Sequence, residues 1–376
     1  MNCLGKIALL VGSCFVFTGH LYAEGSELSL MFYNTLNLFD SDHDKGKNDW
    51  AYLPKDFPGK LEQCKKISSR RWRDECLNSD WTNASVELKI NQLNEAVTES
   101  TQDKLPDLLG LSEVENPKVV ERFARKLGYQ QFVMTNSPDT RGIDVALLFN
   151  ENVDLKFIEK REHVITTKIE SRSKPTRNIL EVEFKLNGQR LIIMVNHWPS
   201  QGAPSPVRLN VAKQAQAIVD RQVAKDPNTH VVMMGDFNVI PEDHPHPFHL
   251  VTMSYASKNP FKDVHALYKK SKVPQEVSKM MPYGTYFYMN GMTWNRLDRF
   301  FVSKNLTNNR GIEVDPKSYR ILAPKKITKD FVYSNPSYYS YGTTISGTPY
   351  SGNINATSPE DAGYSDHFPI YVKLKY

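Results

Sequence analysis

The stretch VVMMGDFN (231–238) is a run of four apolar residues that ends at Gly235, Asp236 and Asn238. Short apolar runs of this length are typical of strands buried on both faces, and the polar residues beside such a run lie where the strand leaves the sheet. Apolar runs also border polar residues in LLGLSE (108–113), LIIMVNH (191–197) and RLDRFF (296–301), and YSDHFP (364–369) adds a polar cluster near the C-terminus. We expect these polar side chains to converge at one edge of a sheet core and to form an active site.

The residue types limit the chemistry of such a site. Hard oxygen ligands are offered by Glu113, Asp236, Asn238 and Asp366. These ligands suit Mg2+, with Mn2+ or Ca2+ as alternatives, rather than zinc. The sequence contains no His-Glu-x-x-His motif, no Gly-x-Ser-x-Gly nucleophile elbow and no glycine-rich phosphate loop. A divalent metal beside histidines is typical of phosphate-ester hydrolysis, in which positive charge stabilises the phosphate oxygens.

Hydrophobic periodicity predicts helices that alternate with strands and hairpins. Helices are predicted at about 84–100, 117–127 and 206–225, and strands near 28–34, 132–136, 144–149, 179–186, 190–196, 230–235, 284–289 and 297–303. This order favours mixed sheets covered by helices. Residues 331–352, which are rich in Tyr, Ser and Gly, are predicted to form a long loop. That loop could offer tyrosines for stacking on bases, or it could be an ordinary surface loop.

The N-terminal 23 residues have the pattern of an export signal. Lys6 gives a positive start, residues 7–17 are apolar, and Leu-Tyr-Ala (21–23) offers a small residue for cleavage. The apolar stretch is shorter than the ~20 residues that span a bilayer. A lipid anchor at Cys14 is the alternative, but the apolar sequence that continues past this cysteine argues against it. We therefore expect an exported protein, periplasmic or secreted, without a stable membrane anchor, and we expect a monomer.

Cleavage of the signal leaves two cysteines, Cys64 and Cys76. In an oxidising compartment they are predicted to form a disulfide, and two free thiols are the alternative. They lie in a segment at about 41–80 that is interpreted as an insertion into a single domain, residues 24–376. The residues CKKISSRRWRDEC (64–76) are predicted to form a basic loop. This loop could follow a phosphate backbone while Trp72 stacks on a base, or it could be a solvated surface loop.

Composition is that of a globular protein with a mild basic excess. Apolar residues make up 40% of the chain and charged residues 24%, which excludes a disordered chain. Loss of Lys6 with the signal lowers the formal charge from +5 to +4. A charge this small permits nucleic-acid binding without indicating it, so any such binding depends on local basic patches.

Seven segments in order resemble the endonuclease/exonuclease/phosphatase superfamily. They are FYNTLNLFD (32–40), LSEVEN (111–116), TRGIDVALLF (140–149), NHWPSQ (196–201), GDFNVIP (235–241), TWNRLDRFFVS (293–303) and SDHFPI (365–370). Each motif alone is weakly specific, whereas all seven in the family's order cover the chain from about Leu28 to its end. Ser112 departs from the pattern, because glutamine commonly precedes the metal-binding glutamate in this family.

The resemblance implies a four-layered α/β/β/α sandwich with two packed mixed β-sheets, and it assigns a role to each matching residue. It implies metal ligation by Glu113, Asn34 and Asp366, catalysis by His197, Asp236, Asn238, Asp298 and His367, and phosphate contacts by Arg141 and Arg177. Within the catalytic set, Asp236 would orient or deprotonate the attacking water and Asn238 would hold the phosphate. Asp298 would fix the ring of His367, and His197 would polarise the phosphate or protonate the leaving oxygen. The general base is left open.

Three functions are consistent with this sequence. The first is an exported, metal-dependent nuclease that hydrolyses phosphodiester bonds of DNA, with RNA as an alternative substrate. The second is a sphingomyelinase-like lipid phosphodiesterase, which is disfavoured because no exposed hairpin rich in Trp or Phe is evident in the sequence. The third is a binding module without catalysis, which is disfavoured because every catalytic-type position is filled. The basic segment 64–76 favours the nuclease.

Overall fold

The computed structural model describes residues 26–169, 172–174, 176–334 and 341–376. The strands are β1 (Glu27–Leu38), β2 (Leu108–Val114), β3 (Gln131–Met134), β4 (Asp144–Phe149), β5 (Leu155–His163), β6 (Thr167–Ile169), β7 (Arg172–Lys174), β8 (Ile179–Leu186), β9 (Gln189–His197), β10 (His230–Asp236), β11 (Lys262–Asp263), β12 (Tyr286–Tyr288), β13 (Thr293–Asn295), β14 (Asp298–Val302), β15 (Glu313–Ile321), β16 (Thr328–Val332), β17 (Thr344–Pro349) and β18 (Ile370–Lys375). The helices are α1 (Lys60–Lys65), α2 (Arg70–Asn78), α3 (Asn83–Thr101), α4 (Pro117–Leu127), α5 (Ser205–Lys225), α6 (Val264–Lys270), α7 (Gln275–Lys279) and α8 (Pro359–Ala362).

Two large mixed sheets form the centre of the fold. The first has the strand order β15-β18-β1-β2-β4-β3, and only its pair β1 and β2 is parallel. The second has the order β11-β14-β10-β9-β8-β5, with β9 and β10 parallel. The short strands pair as three ribbons, β6 with β7, β12 with β13, and β16 with β17.

The strand β10 is buried on both faces, as its continuous apolar sequence predicts. Val232 and Met234 join the core between the two sheets, whereas Val231 and Met233 pack against α5. The sheets approach closely at Gly110, where an added Cβ would lie 2.6 Å from the Cε atom of Met234. Glycine at this position therefore permits the packing of one sheet on the other.

Helices cover the outer face of each sheet. On the first sheet, α3 and α4 contact β1 and β3, and α3 begins with a capping box between Thr82 and Ser85. On the second sheet, α5 buries Val211, Ala215 and Val219 beside β9 and β10. This arrangement confirms the predicted sandwich of two packed mixed sheets flanked by helices. No helix in the described ranges is long and apolar enough to cross a membrane.

The three long predicted helices are confirmed to within a residue or two as α3, α4 and α5. Each predicted strand is present, although the one near 284–289 is shortened to β12. Of the longer strands, β5, β15 and β18 were not predicted, and neither were the shorter strands β6, β7, β11, β13, β16 and β17. The prediction of a loop over 331–352 is wrong in part, because β17 pairs with β16 there. Residues 335–340, with Tyr338 and Tyr339, lie outside the described residues, as does the predicted export signal at 1–23.

The segment 41–80 lies between β1 and α3. The predicted disulfide is present, since Cys64 of α1 is bonded to Cys76 of α2 with 5.5 Å between the Cα atoms. The prediction of a loop at 64–76 is wrong, because most of these residues form the helical hairpin α1–α2. Lys60 anchors the hairpin from a buried position by donating to the carbonyl oxygens of Leu53 at 2.6 Å and Ser79 at 2.7 Å. The hairpin is thus fixed at its base by a covalent bond and by a buried cation.

Candidate active site

Strand register places three of the predicted catalytic residues in one row across the second sheet. Asp236 of β10 pairs with His197 of parallel β9 and with Asp298 of antiparallel β14. Residues paired across neighbouring strands point to the same face of a sheet, so these side chains meet at its edge. Asn34 and Glu113 stand at the corresponding end of β1 and β2 in the first sheet.

The backbone is irregular where the strands reach this edge. Glu113 has a φ of 60° and Asn238 a φ of 52°, a left-handed conformation that costs energy for a residue with a side chain. The ladder of β2 shifts register between Ser112 and Val114, so Glu113 sits on a bulge. Gly235 allows β9 and β10 to approach, because a Cβ there would lie 2.2 Å from the Asn196 carbonyl oxygen. Such strain is concentrated at functional sites in many proteins.

His367 and Asp298 form the predicted dyad geometry. The Nδ1 atom of His367 lies 2.7 Å from Oδ2 of Asp298, and both side chains are buried. The loop before β18 is held because the His367 amide donates to Ser365 Oγ at 3.1 Å and Ser365 Oγ donates to the Asn34 carbonyl at 2.7 Å. Tyr286 covers the imidazole with 5.1 Å between ring centroids. The Nε2 atom of His367 is left facing the cleft.

Asp236 lies at the centre of the site. Its Oδ2 accepts a hydrogen bond from Asn34 Nδ2 at 3.1 Å, and its Oδ1 accepts one from the amide of Asn238 at 2.9 Å. Oδ2 also lies 3.7 Å from His197 Nε2 and 3.9 Å from His367 Nε2. The side-chain amide of Asn238 donates to the carbonyl of Trp198 at 3.1 Å, which leaves its second hydrogen for a ligand.

The surroundings give the two histidines different protonation states. Burial opposes a charge on His367, but the carboxylates of Asp298, Asp236 and Asp366 outweigh it and raise the pKa of His367 well above 6.5. Burial lowers the pKa of His197 well below 6.5, and the charges of Arg177 and Arg141 lower it further. At neutral pH the site therefore holds an imidazolium at His367 and a neutral imidazole at His197.

Burial also raises the pKa of the two aspartates beside His367. For Asp236 the pKa rises to about 7, although the positive charge of His367 opposes the shift. For Asp366 the pKa also rises, because burial and the negative charge of Glu113 act against ionisation. A carboxylate whose pKa is close to neutrality can exchange a proton at physiological pH, as a general base must.

Glu113 is the side chain best suited to a hard cation. Its carboxylate lies 3.7 Å from His197 Nε2 and 3.9 Å from an Arg141 nitrogen, with no hydrogen bond from any described residue. Asp366 interacts electrostatically with Glu113 and is partly open to solvent. Asn34 uses its Oδ1 to accept from the Leu36 amide at 3.0 Å, which leaves one lone pair. These oxygen atoms fit Mg2+, Mn2+ or Ca2+.

A second group of potential ligand atoms, from Asp236, Asp298 and His367, also lies within 4.8 Å of one another. Two of these residues are already hydrogen-bonded to each other, because the Nδ1 atom of His367 lies 2.7 Å from Oδ2 of Asp298. His367 is also protonated at neutral pH. A cationic imidazole repels a metal ion. The Glu113 side of the cleft is therefore the better cation site.

The two predicted phosphate-binding arginines have different surroundings. Arg141 has a half-exposed side chain at the mouth of the cleft beside Glu113. Arg177 is buried, and it donates to Asp139 at 3.3 Å and to the Trp198 carbonyl at 2.6 Å. Arg141 thus lies where a ligand can contact it from solvent, whereas Arg177 is buried behind the site and is bonded to protein atoms.

Sequence reasoning missed several supporting residues. Lys89 of α3 is buried and donates to the Tyr364 carbonyl at 2.7 Å, which holds the segment before Asp366. It also interacts electrostatically with Glu113 and Asp366. A lysine three residues after Val86 and four before Leu93, on the apolar face of a predicted helix, was a usable signal. Ser365 and Tyr286 gave no comparable signal.

A two-sheet sandwich with an acidic, histidine-containing site at its edge is the arrangement of a phosphoesterase fold. The profile of the endonuclease/exonuclease/phosphatase family matches residues 29–376. The chain belongs to this family, as its motifs predict. Members of the family hydrolyse phosphoester bonds and depend on a divalent metal ion. A search of curated protein sequences found no match.

Solved structures share the fold at low sequence identity. An endonuclease/exonuclease/phosphatase family protein from Bacteroides thetaiotaomicron is 16% identical with a TM-score of 0.53, covering 93% of this chain and 95% of its own. A mannosyl-6-phosphatase from the same species is 15% identical with a TM-score of 0.52, covering 93% and 100%. TDP2 from D. rerio, solved with a single-strand DNA product, is 15% identical with a TM-score of 0.50, also covering 93% and 100%. These similarities establish the fold alone.

Proposed function

We propose that this protein is a metal-dependent phosphodiesterase that hydrolyses nucleic acid, DNA in the first place and RNA as an alternative, with Mg2+ as its metal. The observation that carries the hydrolytic part is the arrangement around Asp236. A carboxylate of near-neutral pKa lies 3.9 Å from the Nε2 atom of a protonated His367 and 3.7 Å from that of a neutral His197. A carboxylate base and two ring nitrogen atoms are thus brought together at the edge of the sheets, as attack on a phosphate requires.

Each residue has a role in this proposal. Asp236, oriented by Asn34 and by the Asn238 amide, takes the proton of the attacking water. The imidazolium of His367, held by Asp298, donates from Nε2 to a non-bridging phosphate oxygen and stabilises the charge of the transition state. A divalent cation held by Glu113, Asp366 and Asn34 supplies further stabilisation of that charge when bound.

The remaining polar groups bind the phosphate and the leaving oxygen. Neutral His197 donates a hydrogen bond from Nε2 to the leaving oxygen. The free amide hydrogen of Asn238 and the half-exposed guanidinium of Arg141 contact the phosphate oxygens. In this arrangement Arg177 supports the wall of the site, because its buried guanidinium donates to Asp139 and to the Trp198 carbonyl.

The basic face of the α1–α2 hairpin supports nucleic acid as the substrate. Its exposed residues include the cations Lys65, Lys66, Arg70 and Arg71. A polyanion binds such a patch with the release of counterions, so its affinity depends on salt. The solved complex of TDP2 with single-strand DNA supports the same substrate class by analogy of fold.

A lipid phosphodiester is the second candidate, and one observation favours it. Exposed Met280, Tyr283, Tyr288 and Met289 lie on and before the hairpin β12–β13, which also carries Tyr286 beside His367. These exposed side chains are Tyr and Met rather than Trp and Phe, so the hairpin is not of the Trp- or Phe-rich kind whose absence from the sequence disfavours the lipid candidate. Amphipathic side chains beside an active site could dip into a membrane interface.

Export remains part of the proposal. The disulfide between Cys64 and Cys76 supports an oxidising compartment, in line with the signal predicted at 1–23. The monomeric state and the lack of a membrane anchor stay predictions.

A substrate panel tests the proposed function. The purified protein is incubated with Mg2+ and single-stranded oligonucleotide, supercoiled plasmid, RNA or sphingomyelin vesicles, and each product is quantified. We expect hydrolysis of the nucleic acids at rates well above that of sphingomyelin. Hydrolysis of sphingomyelin alone would replace the proposal with the lipid candidate, and a lack of hydrolysis of every diester would contradict both.

A further inference from the structure

The outer face of the α1–α2 hairpin carries a large aromatic residue in an unusual setting. Trp72 is 53% exposed, and the guanidinium of Arg71 lies 5.0 Å from its ring centroid. A tryptophan exposed to this extent gains little free energy from burial in the fold. An exposed indole ring therefore indicates a surface that contacts a ligand. Around it the hairpin exposes Lys65, Lys66 and Arg70.

The hairpin that carries this ring is held firmly. The disulfide joins its two helices, and Lys60 fixes its base through two buried carbonyl oxygens. The ring of Tyr52, next to the hairpin, stacks on Phe39 with 4.1 Å between centroids. A rigid support reduces the loss of conformational entropy when a ligand stacks on the exposed ring.

Packing contacts place the base of the hairpin at the active-site end of the first sheet, because the turn that holds Tyr52 contacts α1 and α2 and the ring of Tyr52 stacks on Phe39, the residue directly after β1. The charge of Arg71 acts on Tyr286, and the ring of Tyr286 covers the imidazole of His367. On the inner side of the hairpin, Glu75 of α2 interacts with Tyr52, which in turn interacts with Glu113 of the metal site. The hairpin therefore stands at the same end of the sheets as the active site, with Arg71 and Trp72 on its exposed face.

We propose that Trp72 and Arg71 form a subsite for a nucleotide that flanks the scissile phosphate, and that the preferred substrate is single-stranded nucleic acid. An unpaired base stacks on the indole ring, while Arg71, Lys65 and Lys66 contact the neighbouring phosphates. Bases within a duplex already stack on each other and cannot present a free face to Trp72. This inference rests on the proposed nuclease function and specifies its substrate.

The test compares two substrates in the complete protein with Mg2+. Values of kcat/KM are measured for a single-stranded oligonucleotide and for methyl p-nitrophenyl phosphate, a small diester without a base. In Trp72→Ala the ratio of the two values should fall by about 5- to 100-fold, the effect of losing one stacked base. Trp72→Phe should recover most of this loss, because it restores an aromatic face. Tyr255→Ala removes a fully exposed aromatic residue from another loop and should leave the ratio unchanged.

A duplex of the same sequence is the third substrate. The wild-type protein should prefer the single strand, and Trp72→Ala should reduce this preference. Arg71→Gln should weaken the dependence of KM on salt for the single strand. An unchanged ratio in Trp72→Ala, or an equal loss for single strand and duplex, would overturn the subsite.

The outcomes also separate this inference from the function on which it rests. Absence of hydrolysis of both diesters by the wild-type protein contradicts the proposed function itself. Hydrolysis of the small diester and of the oligonucleotide, with a ratio that Trp72→Ala leaves unchanged, contradicts only the subsite. A loss in Trp72→Ala that is seen with sphingomyelin vesicles and not with oligonucleotides would assign this face to lipid and refute the nucleotide subsite.

Discussion

Substitutions in the dyad of His367 and Asp298 should have unequal effects on catalysis. His367→Ala removes both the imidazolium and its Nε2 donor, so kcat should fall by ~10²–10⁴-fold, which corresponds to ~3–5.5 kcal/mol. Asp298→Asn keeps the ring and removes only the charge that holds it at 2.7 Å. A hydrogen bond to a charged group contributes ~1.5–3 kcal/mol, so this variant should lose only ~10- to 150-fold in kcat.

The pH profile distinguishes a charged His367 from a neutral one. The neighbouring carboxylates raise the pKa of His367, so the imidazolium persists above the usual range and is lost as the pH rises through that pKa. Asp298→Asn removes one of these carboxylates and lowers the pKa. The alkaline limb of its kcat profile should therefore move to lower pH.

The assay is steady-state hydrolysis of methyl p-nitrophenyl phosphate with Mg2+, together with thermal unfolding of each variant. His367→Ala leaves the buried carboxylate of Asp298 unpaired, which should destabilise the fold by ~3–5 kcal/mol. The double variant, which removes both partners, should be no slower than His367→Ala because the two residues act as one unit. Losses confined to KM, or additive losses in the double variant, would refute the dyad.

Three further predictions concern the rest of the molecule. Arg177→Met should lower the free energy of unfolding by ~3–5 kcal/mol, because it leaves the buried Asp139 carboxylate without its cation. Arg141→Ala should mainly raise KM. An equal loss of stability in both variants, measured by urea unfolding, would contradict the different surroundings of the two arginines. The Cys64→Ser/Cys76→Ser variant should lose ~3 kcal/mol of stability. Mass spectrometry of the wild-type protein, without reduction, should detect no free thiol. Two alkylatable cysteines would argue against the disulfide. Gly110→Val should be destabilised by at least ~1–3 kcal/mol, because its side chain meets Met234 of the opposite sheet. Gly188→Val is the control for the loss of a glycine, since no atom lies within 4 Å of an added Cβ at that turn. The cost of the control substitution should come from its positive φ alone.

The sequence predicted the parts of the fold that have a strong hydrophobic period. The helices α3, α4 and α5 and the doubly buried strand β10 belong to this group. The strand β5 was not predicted because its sequence, LKFIEKREH, lacks a regular alternation of apolar and polar residues. The strand β15 was not predicted because Pro316 interrupts its pattern. In β18 the alternation of Ile370, Val372 and Leu374 was a clear strand signal, and it went unused.

The sequence names candidate site residues but not their arrangement in space. Motifs could name Asp236, His197 and Asp298, yet only the strand register shows that they form one row. The opposite protonation states of the two histidines depend on burial and on neighbours distant in sequence. The helical hairpin α1–α2 was missed because short polar helices carry little periodic signal and depend on tertiary contacts.

Removal and restoration of the metal ion tests the central claim most directly. Cleavage of a single-stranded oligonucleotide is followed in wild-type protein and in Glu113→Gln, first with excess EDTA and then after Mg2+ is added back. The proposed site predicts that EDTA abolishes cleavage by the wild-type protein, that Mg2+ restores it, and that Glu113→Gln stays inactive at the same Mg2+ concentration while unfolding at a similar temperature. Undiminished cleavage in EDTA, or full activity in Glu113→Gln, would contradict a metal-dependent phosphodiesterase at this edge of the sheets.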